Sequence, residues 1–300
     1  MSAPVDAAAE MLGDKVTRDA PFGELTTYRV GGRAALGIVV GDVEDLRAVA
    51  RTRRATGIEV VVLGRGSNTL VADAGFDGLL VMLGEAFEVV EIDGTTVRAG
   101  GAASLPVVAR TTAAAGLRGF EWAVGVPGSI GGAVRMNAGG HGSDMAAVTT
   151  RVRVVSLGSE EDVVVPATEL ALGYRRSSIV STDVVVWAEL ALDKGDRSDA
   201  EDEIAAIVRW RRENQPGGQN AGSVFTNPAG DSAGRLIDVT GLKGHRLGTA
   251  RVSEKHANFI QADTGGSADD VLALMREVAA RVRDAHGVEL VPEVRLVGFA

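Results

Sequence analysis

The sequence predicts an α+β protein with a large N-terminal part and a C-terminal domain that begins near residue 195. Its 300 residues exceed what one hydrophobic core usually organises. Helix and strand patterns alternate in the first half, whereas short β-rich runs follow one another from Arg151 onward, as in an antiparallel sheet. Residues 193–202 are polar, which is typical of a linker between domains.

Helices are predicted where end signals flank an apolar stripe. Four segments combine these features: 42–57, 104–115, 198–212 and 267–286. Asp42 and Ser104 stand at cap positions, and Ser267 forms a capping-box pair with Asp270. Residues 1–20 are expected to form a mobile tail or a short helix.

Strands are predicted from short apolar or alternating runs. Six segments show this pattern: 59–64, 79–83, 151–157, 162–165, 183–192 and 289–297. The strand 59–64 leads directly into a glycine-rich turn, which makes that turn a candidate ligand site.

Composition and charge exclude several classes of function. The chain has no Cys, so it has neither disulfides, thiolate metal sites, cysteine nucleophiles nor a cysteinyl-flavin bond. A net charge of −9 argues against general binding to nucleic acid or membrane surfaces. No secretory signal or apolar run of about 20 residues is present, and we therefore expect a cytoplasmic location. Residues 205–260 nevertheless hold eight Lys and Arg against four acids, which predicts a pocket for a small anion.

Two glycine-rich runs are candidate ligand sites. In residues 64–69 (GRGSNT), closely spaced glycines let backbone N–H groups converge on phosphate oxygens, although a plain turn between strands is the alternative. A dinucleotide fingerprint of the Rossmann type is not met, because the third glycine and the following helix are missing. The run 125–140 (GVPGSIGGAVRMNAGG) leaves room for a flat ring or a pyrophosphate, whose edge Ser129 and Asn137 can bond.

Other polar positions are ambiguous when taken singly. Arg175 follows Tyr174, which is also typical of a stacked surface pair. Ser223 lacks the second glycine of a nucleophile elbow, so a hydrolase is poorly supported. Glu293 interrupts an apolar strand, as surface acids often do. The four histidines lack the spacing of metal ligands, and no metal site is predicted.

Six motifs follow one another along the chain: VLGRGSNTLVAD (62–73), GVPGSIGGAVRMNAGG (125–140), YRRS (174–177), AGSVFTNP (221–228), EKHANFI (254–260) and PEVR (292–295). Taken in this order, they resemble the UDP-N-acetylenolpyruvoylglucosamine reductase family. The resemblance extends from about residue 26 to the C-terminus. It implies an FAD-binding region of the vanillyl-alcohol-oxidase (PCMH) type in two subdomains, 25–90 and 91–195, and a C-terminal α+β substrate-binding domain, 196–300. Residues 1–24 would form an N-terminal tail.

The resemblance also implies a function. Members use NADPH and non-covalent FAD to reduce the enolpyruvyl group of a UDP-sugar during peptidoglycan precursor synthesis, a step in cell-wall biogenesis. The implied catalytic residues are Arg175, Ser223 and Glu293. The FAD pyrophosphate would be held by Gly64, Arg65, Gly66, Ser67, Asn68, Thr69 and Leu70. The flavin ring would be lined by Pro127, Gly128, Ser129, Ile130, Gly131, Gly132 and Asn137. The substrate side would include Tyr174, Asn227, Arg211 and Arg212.

Some positions depart from the family pattern. Asn214 stands near the place where many relatives have Lys, and we expect Arg211 or Arg212 to substitute for it. Only a few residues separate Ser178 from the strand 183–192, so the chain resembles the shorter subclass that lacks a Tyr-bearing insertion. His141 lies in the second glycine run, and we expect it not to bond flavin covalently.

Two other functions remain possible from the sequence. One is a different flavoenzyme on the same scaffold, such as an oxidase of small alcohols or sugar lactones. The other is a binding protein for a UDP-sugar or nucleotide without catalytic activity.

Overall fold

The structure is a computed structural model that describes residues 2–299. Its contacts divide the chain into two compact units. Unit 1 comprises residues 1–19, 35–65 and 77–211, and unit 2 comprises residues 20–34, 66–76 and 212–300. Each unit is made of several separate segments of the chain, whereas the domains expected from the sequence are continuous ranges. The expected boundaries stay a prediction.

The seven α-helices of the described chain are α1 (Ala3–Leu12), α2 (Val43–Thr56), α3 (Leu105–Ala114), α4 (Ile130–Met136), α5 (Arg197–Asn214), α6 (Ala233–Val239) and α7 (Ala268–His286). The first nine strands are β1 (Val16–Pro21), β2 (Arg33–Val40), β3 (Val60–Leu63), β4 (Thr69–Val71), β5 (Phe76–Leu83), β6 (Val90–Asp93), β7 (Thr96–Gly100), β8 (Leu117–Arg118) and β9 (Gly139–Gly140). The remaining strands are β10 (Ser143–Asp144), β11 (Thr149–Ser156), β12 (Asp162–Pro166), β13 (Asp183–Ala191), β14 (Asp193–Lys194), β15 (Arg246–Leu247), β16 (Ala250–Val252), β17 (Ile260–Ala262) and β18 (Arg295–Val297).

Unit 1 is built on two sheets. A four-stranded sheet has the order β1-β2-β5-β3, in which β3 and β5 are parallel. A five-stranded sheet has the order β12-β11-β13-β7-β6, and its neighbouring strands are antiparallel, as the sequence predicts. Side chains alternate along β13: Val185 enters one hydrophobic core, and Val184 and Val186 enter the other. The central strand β13 is therefore buried on both faces, whereas the edge strands β12 and β6 are largely exposed.

Unit 2 has one core, which helices α6 and α7 share with two small sheets. The order β15-β16-β17 is antiparallel, and β18 pairs with β4 in parallel. Val271, Leu274 and Met275 place the apolar stripe of α7 in this core, as predicted. The pairing of β18 with β4 brings the C-terminal strand beside the end of the first glycine turn.

Most predicted elements are confirmed, and their ends follow the cap signals. Asp42 accepts from the Asp45 N–H at 2.9 Å, and Gly57 closes α2 with a φ of 72°. The capping box of α7 is only half formed. Ser267 accepts from the Asp270 N–H at 3.1 Å, but the Asp270 carboxylate bonds the N–H and hydroxyl of Thr249 at 2.7 and 2.8 Å.

The structure shortens one predicted strand, adds one helix and decides between two forms expected for the N-terminal segment. The predicted strand 289–297 is ordered as a strand only over Arg295–Val297, and Pro292 forms an isolated bridge before it. A helix that the sequence analysis did not predict, α4, begins inside the second glycine run. Residues 3–12 form helix α1, one of the two forms expected for the N-terminal segment.

Candidate active site

The two glycine-rich runs meet within unit 1. A Cβ atom added at Gly64 would lie 2.4 Å from the Ser129 hydroxyl oxygen, far inside van der Waals contact. Ser129 is buried and caps helix α4 by accepting from the Gly132 N–H at 3.5 Å. Position 64 therefore needs glycine for close approach, and motifs more than sixty residues apart in sequence form one surface.

The first turn leaves its backbone donors available. Within residues 2–299, no N–H group of residues 64–68 donates a hydrogen bond to another part of the protein. The back of the turn is fixed, because the Gly66 carbonyl accepts from the Thr27 N–H at 3.1 Å. Gly66 has a φ of 64°, and an added Cβ would lie 2.6 Å from the Leu25 carbonyl oxygen. A fixed turn with available amides fits the phosphate groups of a dinucleotide.

The remaining predicted pyrophosphate residues differ in what they can offer. Arg65 is exposed and lies 3.9 Å from Glu88 in a loose ion pair. Thr69 and Leu70 begin β4, and the Leu70 side chain is fully buried in the unit 2 core. The side-chain amide of Asn68 donates to the Glu293 carbonyl at 3.0 Å, and the backbone carbonyl of Asn68 accepts from the Arg295 N–H at 3.0 Å. The turn is thus bonded directly to the segment that carries Glu293.

The second glycine run is laid flat against residues 101–105. The Ile130 N–H donates to Ala103 at 2.9 Å, the Gly131 N–H donates to Gly101 at 2.9 Å, and the Gly128 carbonyl accepts from Leu105 at 3.0 Å. The N–H groups of Ile130 and Gly131 are therefore already bonded within the protein and are not available to a ligand. Ile130 points into the core and Pro127 is exposed.

Asn137 organises the loops around it. It has a φ of 40°, in the left-handed region, and ends α4. Its buried amide donates to Asp144 and to the Gly173 carbonyl, both at 3.1 Å, and accepts from the Ala146 N–H at 2.8 Å. These bonds order the surrounding loops, and the contact of Asn137 with the edge of a flavin ring stays a prediction.

Arg175 lies in a tight turn whose ends are bonded to each other. The Gly173 and Arg176 backbones exchange hydrogen bonds of 3.0 and 3.1 Å, and Arg175 between them has a φ of 56°. A non-glycine residue in this region carries strain of about 1 kcal/mol or more. The Arg175 guanidinium contacts the Gly139 carbonyl at 3.3 Å and lies 5.5 Å from the centre of the Tyr174 ring. The turn therefore presents an arginine in an imposed conformation beside the second glycine run.

Ser223 and Glu293 lie on adjacent extended segments of unit 2. The Val224 carbonyl accepts from the Glu293 N–H at 2.8 Å, and the Thr226 N–H donates to Val291 at 2.9 Å. One backbone hydrogen bond next to Ser223 thus fixes the two predicted catalytic residues relative to each other. Both side chains are half-buried.

The predicted substrate residues are spread over both units. Asn227 accepts from the Ala233 N–H at 3.1 Å at the start of α6. In unit 1, burial lowers the pKa of the half-buried Arg211. In unit 2, Arg212 is exposed and its carbonyl accepts from Lys255 Nζ at 2.5 Å. Asn214 is exposed at the end of α5.

The expected cationic excess is partly neutralised. Arg235 pairs with Asp231, Lys243 with Asp238 at 2.6 Å, and Arg246 with Asp263 at 2.5 Å. Asp231 and Asp238 are already among the four acids counted in 205–260, so only the pairing of Arg246 with Asp263 lowers the local excess, from four to three.

Within the described residues, neither a metal-binding cluster nor a membrane-spanning helix is present. Residues 2–299 contain no cluster of three or more His, Asp or Glu side chains arranged to hold a metal ion. No helix in that range is both long enough and apolar enough to cross a membrane.

Comparison with known proteins identifies the class and then the family. An FAD-binding domain model matches residues 34–161, which include both glycine runs, so the chain is an FAD-binding protein. The model of the C-terminal domain of UDP-N-acetylenolpyruvoylglucosamine reductase matches residues 214–297. The chain belongs to the UDP-N-acetylenolpyruvoylglucosamine reductase family, as the six motifs predict.

Relatives cover almost the whole chain. A UDP-N-acetylenolpyruvoylglucosamine reductase of Heliobacterium modesticaldum is 42% identical over 93% of this chain and 89% of its own length. One of Rubrobacter xylanophilus is 38% identical over 98% and 99%. The crystal structure of the reductase from Thermus caldophilus has a TM-score of 0.81 at 35% identity, covering 94% of this chain and 98% of that one.

A more distant structure supports the fold alone. Phl p 4.0202, a glucose dehydrogenase, has a TM-score of 0.51 at 13% identity and covers 71% of this chain and 50% of that one. Together with the two family models, it confirms the predicted fold class: an FAD-binding region of the vanillyl-alcohol-oxidase type followed by a second α+β domain.

Proposed function

We propose that the chain is an NADPH-dependent reductase that converts UDP-N-acetylglucosamine enolpyruvate to UDP-N-acetylmuramate in peptidoglycan precursor synthesis. Family membership and the relatives' names support the substrate class. The observation that carries the chemistry is the 2.8 Å hydrogen bond that joins the backbones of Val224 and Glu293. It holds a hydroxyl and a carboxyl group on adjacent segments, as a step that delivers a proton requires.

Residues 64–70 would hold FAD, which, once reduced by NADPH, would supply a hydride to the methylene carbon of the enolpyruvyl group. The substrate then carries negative charge next to its carboxylate. The Arg175 guanidinium would pair with that carboxylate and stabilise the enolate. Its imposed backbone conformation supports this role, because strain at a defined residue is typical of functional turns.

Ser223 would then donate a proton to the carbon that bears the carboxylate. A serine hydroxyl is a weak acid, but an enolate carbon is basic enough to accept its proton when the hydroxyl is held in line. Glu293 would stabilise the enolate by donating a proton or by orienting hydrogen bonds. The proton leaves Ser223 as the new C–H bond forms, and solvent restores it after product release.

The other predicted contacts complete the proposal. Tyr174 and Asn227 would contact substrate, and Arg211 or Arg212 would take the place of the family Lys near Asn214. His141 contacts the Trp210 ring edge-on at 5.1 Å, and we propose that FAD stays non-covalent. We place the enzyme in the cytoplasm, where its UDP-sugar and NADPH occur, and propose neither a nucleic-acid partner nor membrane insertion.

Separate half-reactions of Ser223→Ala test the assignment. Under anaerobic conditions, NADPH should bleach the flavin of the variant at the wild-type rate, because Ser223 has no part in that step. Recovery of colour with the enolpyruvyl sugar should slow by about 10²–10⁴-fold, the usual contribution of a positioned proton donor. Recovery at the wild-type rate would contradict the role given to Ser223.

A further inference from the structure

We propose that Asn258 is the positioning residue for Ser223, an inference that rests on the proposed function. Asn258 lies in the EKHANFI motif and is 3% exposed. Its side-chain oxygen accepts from the Phe225 N–H at 3.0 Å, and its side-chain nitrogen donates to the Phe225 carbonyl at 2.8 Å. One amide side chain thus satisfies both backbone groups of a residue two positions from Ser223.

The backbone of Asn258 adds a third bond to the same segment. Its carbonyl accepts from the Val224 N–H at 2.8 Å. A buried amide whose oxygen and nitrogen are both bonded is geometrically well defined, because a rotated or displaced side chain would lose these hydrogen bonds away from solvent. A single residue therefore bonds the Val224 N–H and both backbone groups of Phe225.

The contacts on the opposite edge of residues 224–226 explain why the backbone of Phe225 needs hydrogen-bond partners from Asn258. Phe225 faces Pro292 across an isolated antiparallel bridge, and the flanking hydrogen bonds there belong to Val224 and Thr226. In an antiparallel pair, backbone groups alternate in direction, so the N–H and carbonyl of Phe225 point to the other edge. No named strand pairs with Phe225 on that edge within residues 2–299, and Asn258 supplies both partners.

Val224, the neighbour of Ser223, is the link to Glu293, and Asn258 holds Val224 in place. The Val224 N–H is bonded to Asn258 and the Val224 carbonyl is bonded to the Glu293 N–H. A shift of the segment would move the serine hydroxyl relative to the acid, and a misplacement of about 1 Å can cost about 10²-fold in rate. Asn258 itself is buried and acts on the reaction only through the backbone that carries Ser223.

Asn258→Asp tests the proposal with little change in shape. The carboxylate keeps an acceptor for the Phe225 N–H but places a second acceptor against the Phe225 carbonyl. At pH 8 we expect flavin recovery with the enolpyruvyl sugar to slow by about 10–100-fold, while bleaching by NADPH stays within about twofold of wild type. As pH falls towards about 5.5, protonation of the buried carboxyl restores a donor, and recovery should accelerate in the variant and not in wild type.

A solvent isotope effect separates positioning from general damage. If Ser223 is misplaced, proton transfer limits the second half-reaction more strongly, so its rate should fall further in D₂O for Asn258→Asp than for wild type. Gln261→Glu is the matched control, because it makes the same amide-to-carboxylate change at a side chain that donates to the Gly217 carbonyl at 2.8 Å. We expect this control to leave both half-reactions unchanged.

The outcomes are distinguishable from failure of the proposed function. Recovery at the wild-type rate in Ser223→Ala would overturn the proton-donor role and, with it, this inference. If Ser223→Ala is slow but Asn258→Asp matches wild type in both half-reactions, only the inference is overturned. Equal slowing of both half-reactions by Asn258→Asp would also overturn it. If that variant does not fold, Asn258→Ser, which keeps one hydroxyl donor, takes its place. Its rates of flavin recovery and flavin bleaching, each relative to wild type, are then compared in the same way.

Discussion

Replacing Gly64 with Ala tests whether the two glycine runs form one surface. The added methyl group would lie 2.4 Å from the Ser129 hydroxyl oxygen, and the next nearest atom, Ser129 Cβ, would lie at 3.5 Å. Ser129 is 2% exposed and has little room to move. Such overpacking costs about 1–3 kcal/mol, which corresponds to a roughly 5–150-fold change in an equilibrium constant.

A second substitution, at Ser129, should relieve the steric clash. Removing the Ser129 hydroxyl leaves only the ordinary 3.5 Å contact, so Gly64→Ala combined with Ser129→Ala should recover most of the loss. Ser129→Ala alone should cost little, because its capping bond to the Gly132 N–H is long at 3.5 Å. The double-mutant cycle is therefore expected to show a favourable coupling energy of about 1 kcal/mol or more.

Two measurements decide this prediction. Urea unfolding of the flavin-free protein reports the packing cost, and fluorescence titration with FAD reports the effect on the cofactor site. Gly217→Ala is the control, since a Cβ atom there meets nothing within 4 Å and its φ is ordinary. If Gly64→Ala equals wild type in both assays, or if Ser129→Ala gives no rescue, the close approach of the two runs is wrong.

Three further changes have defined outcomes. Gly66→Ala should lower FAD affinity more than Gly64→Ala and should not be rescued by any side-chain truncation, because its Cβ would meet backbone atoms and its φ of 64° is left-handed. Asp73→Asn should lower the free energy of unfolding by about 1–2 kcal/mol in urea titrations, because the carboxylate accepts from the first backbone N–H groups of α7 at 2.9 and 3.2 Å. The hydrogen bond from Arg151 is the main cause that lowers the pKa of the Glu189 carboxyl in the folded protein. The ionised carboxylate therefore contributes to the free energy of unfolding above the unfolded pKa of about 4.3, and this contribution is lost as pH falls through the folded pKa. Glu189→Gln should therefore reduce stability by about 1–3 kcal/mol at pH 7, with the difference vanishing in acid unfolding curves; a difference that persists unchanged at low pH would contradict this origin.

The sequence predicts best what local chemistry determines. Asp42 and Gly57 delimit α2 because a carboxylate cap and a left-handed glycine act within a few residues of each other. The glycine runs were identifiable because so many residues without side chains have few structural reasons to occur together. Their contact through Gly64 and Ser129 was not, because it depends on the packing of distant segments.

Tertiary contacts explain the remaining differences. Asp270 leaves the predicted capping box because Thr249 offers its carboxylate two donors. Pro292 has no N–H group, which limits the regular strand at the C-terminus to Arg295–Val297. Asn258 belongs to a recognised motif, but a buried amide gives no sequence signal of which backbone it bonds.

The central claim is that reduced flavin in this chain delivers its electrons to an enolpyruvyl sugar. The direct measurement is an anaerobic titration of the wild-type protein, bleached with one equivalent of NADPH and then given UDP-N-acetylglucosamine enolpyruvate. The account predicts that flavin absorbance returns with this substrate and does not return with UDP-N-acetylglucosamine, which lacks the enolpyruvyl group. Absorbance that stays bleached until oxygen is admitted would contradict the reductase assignment and favour an oxidase on the same fold.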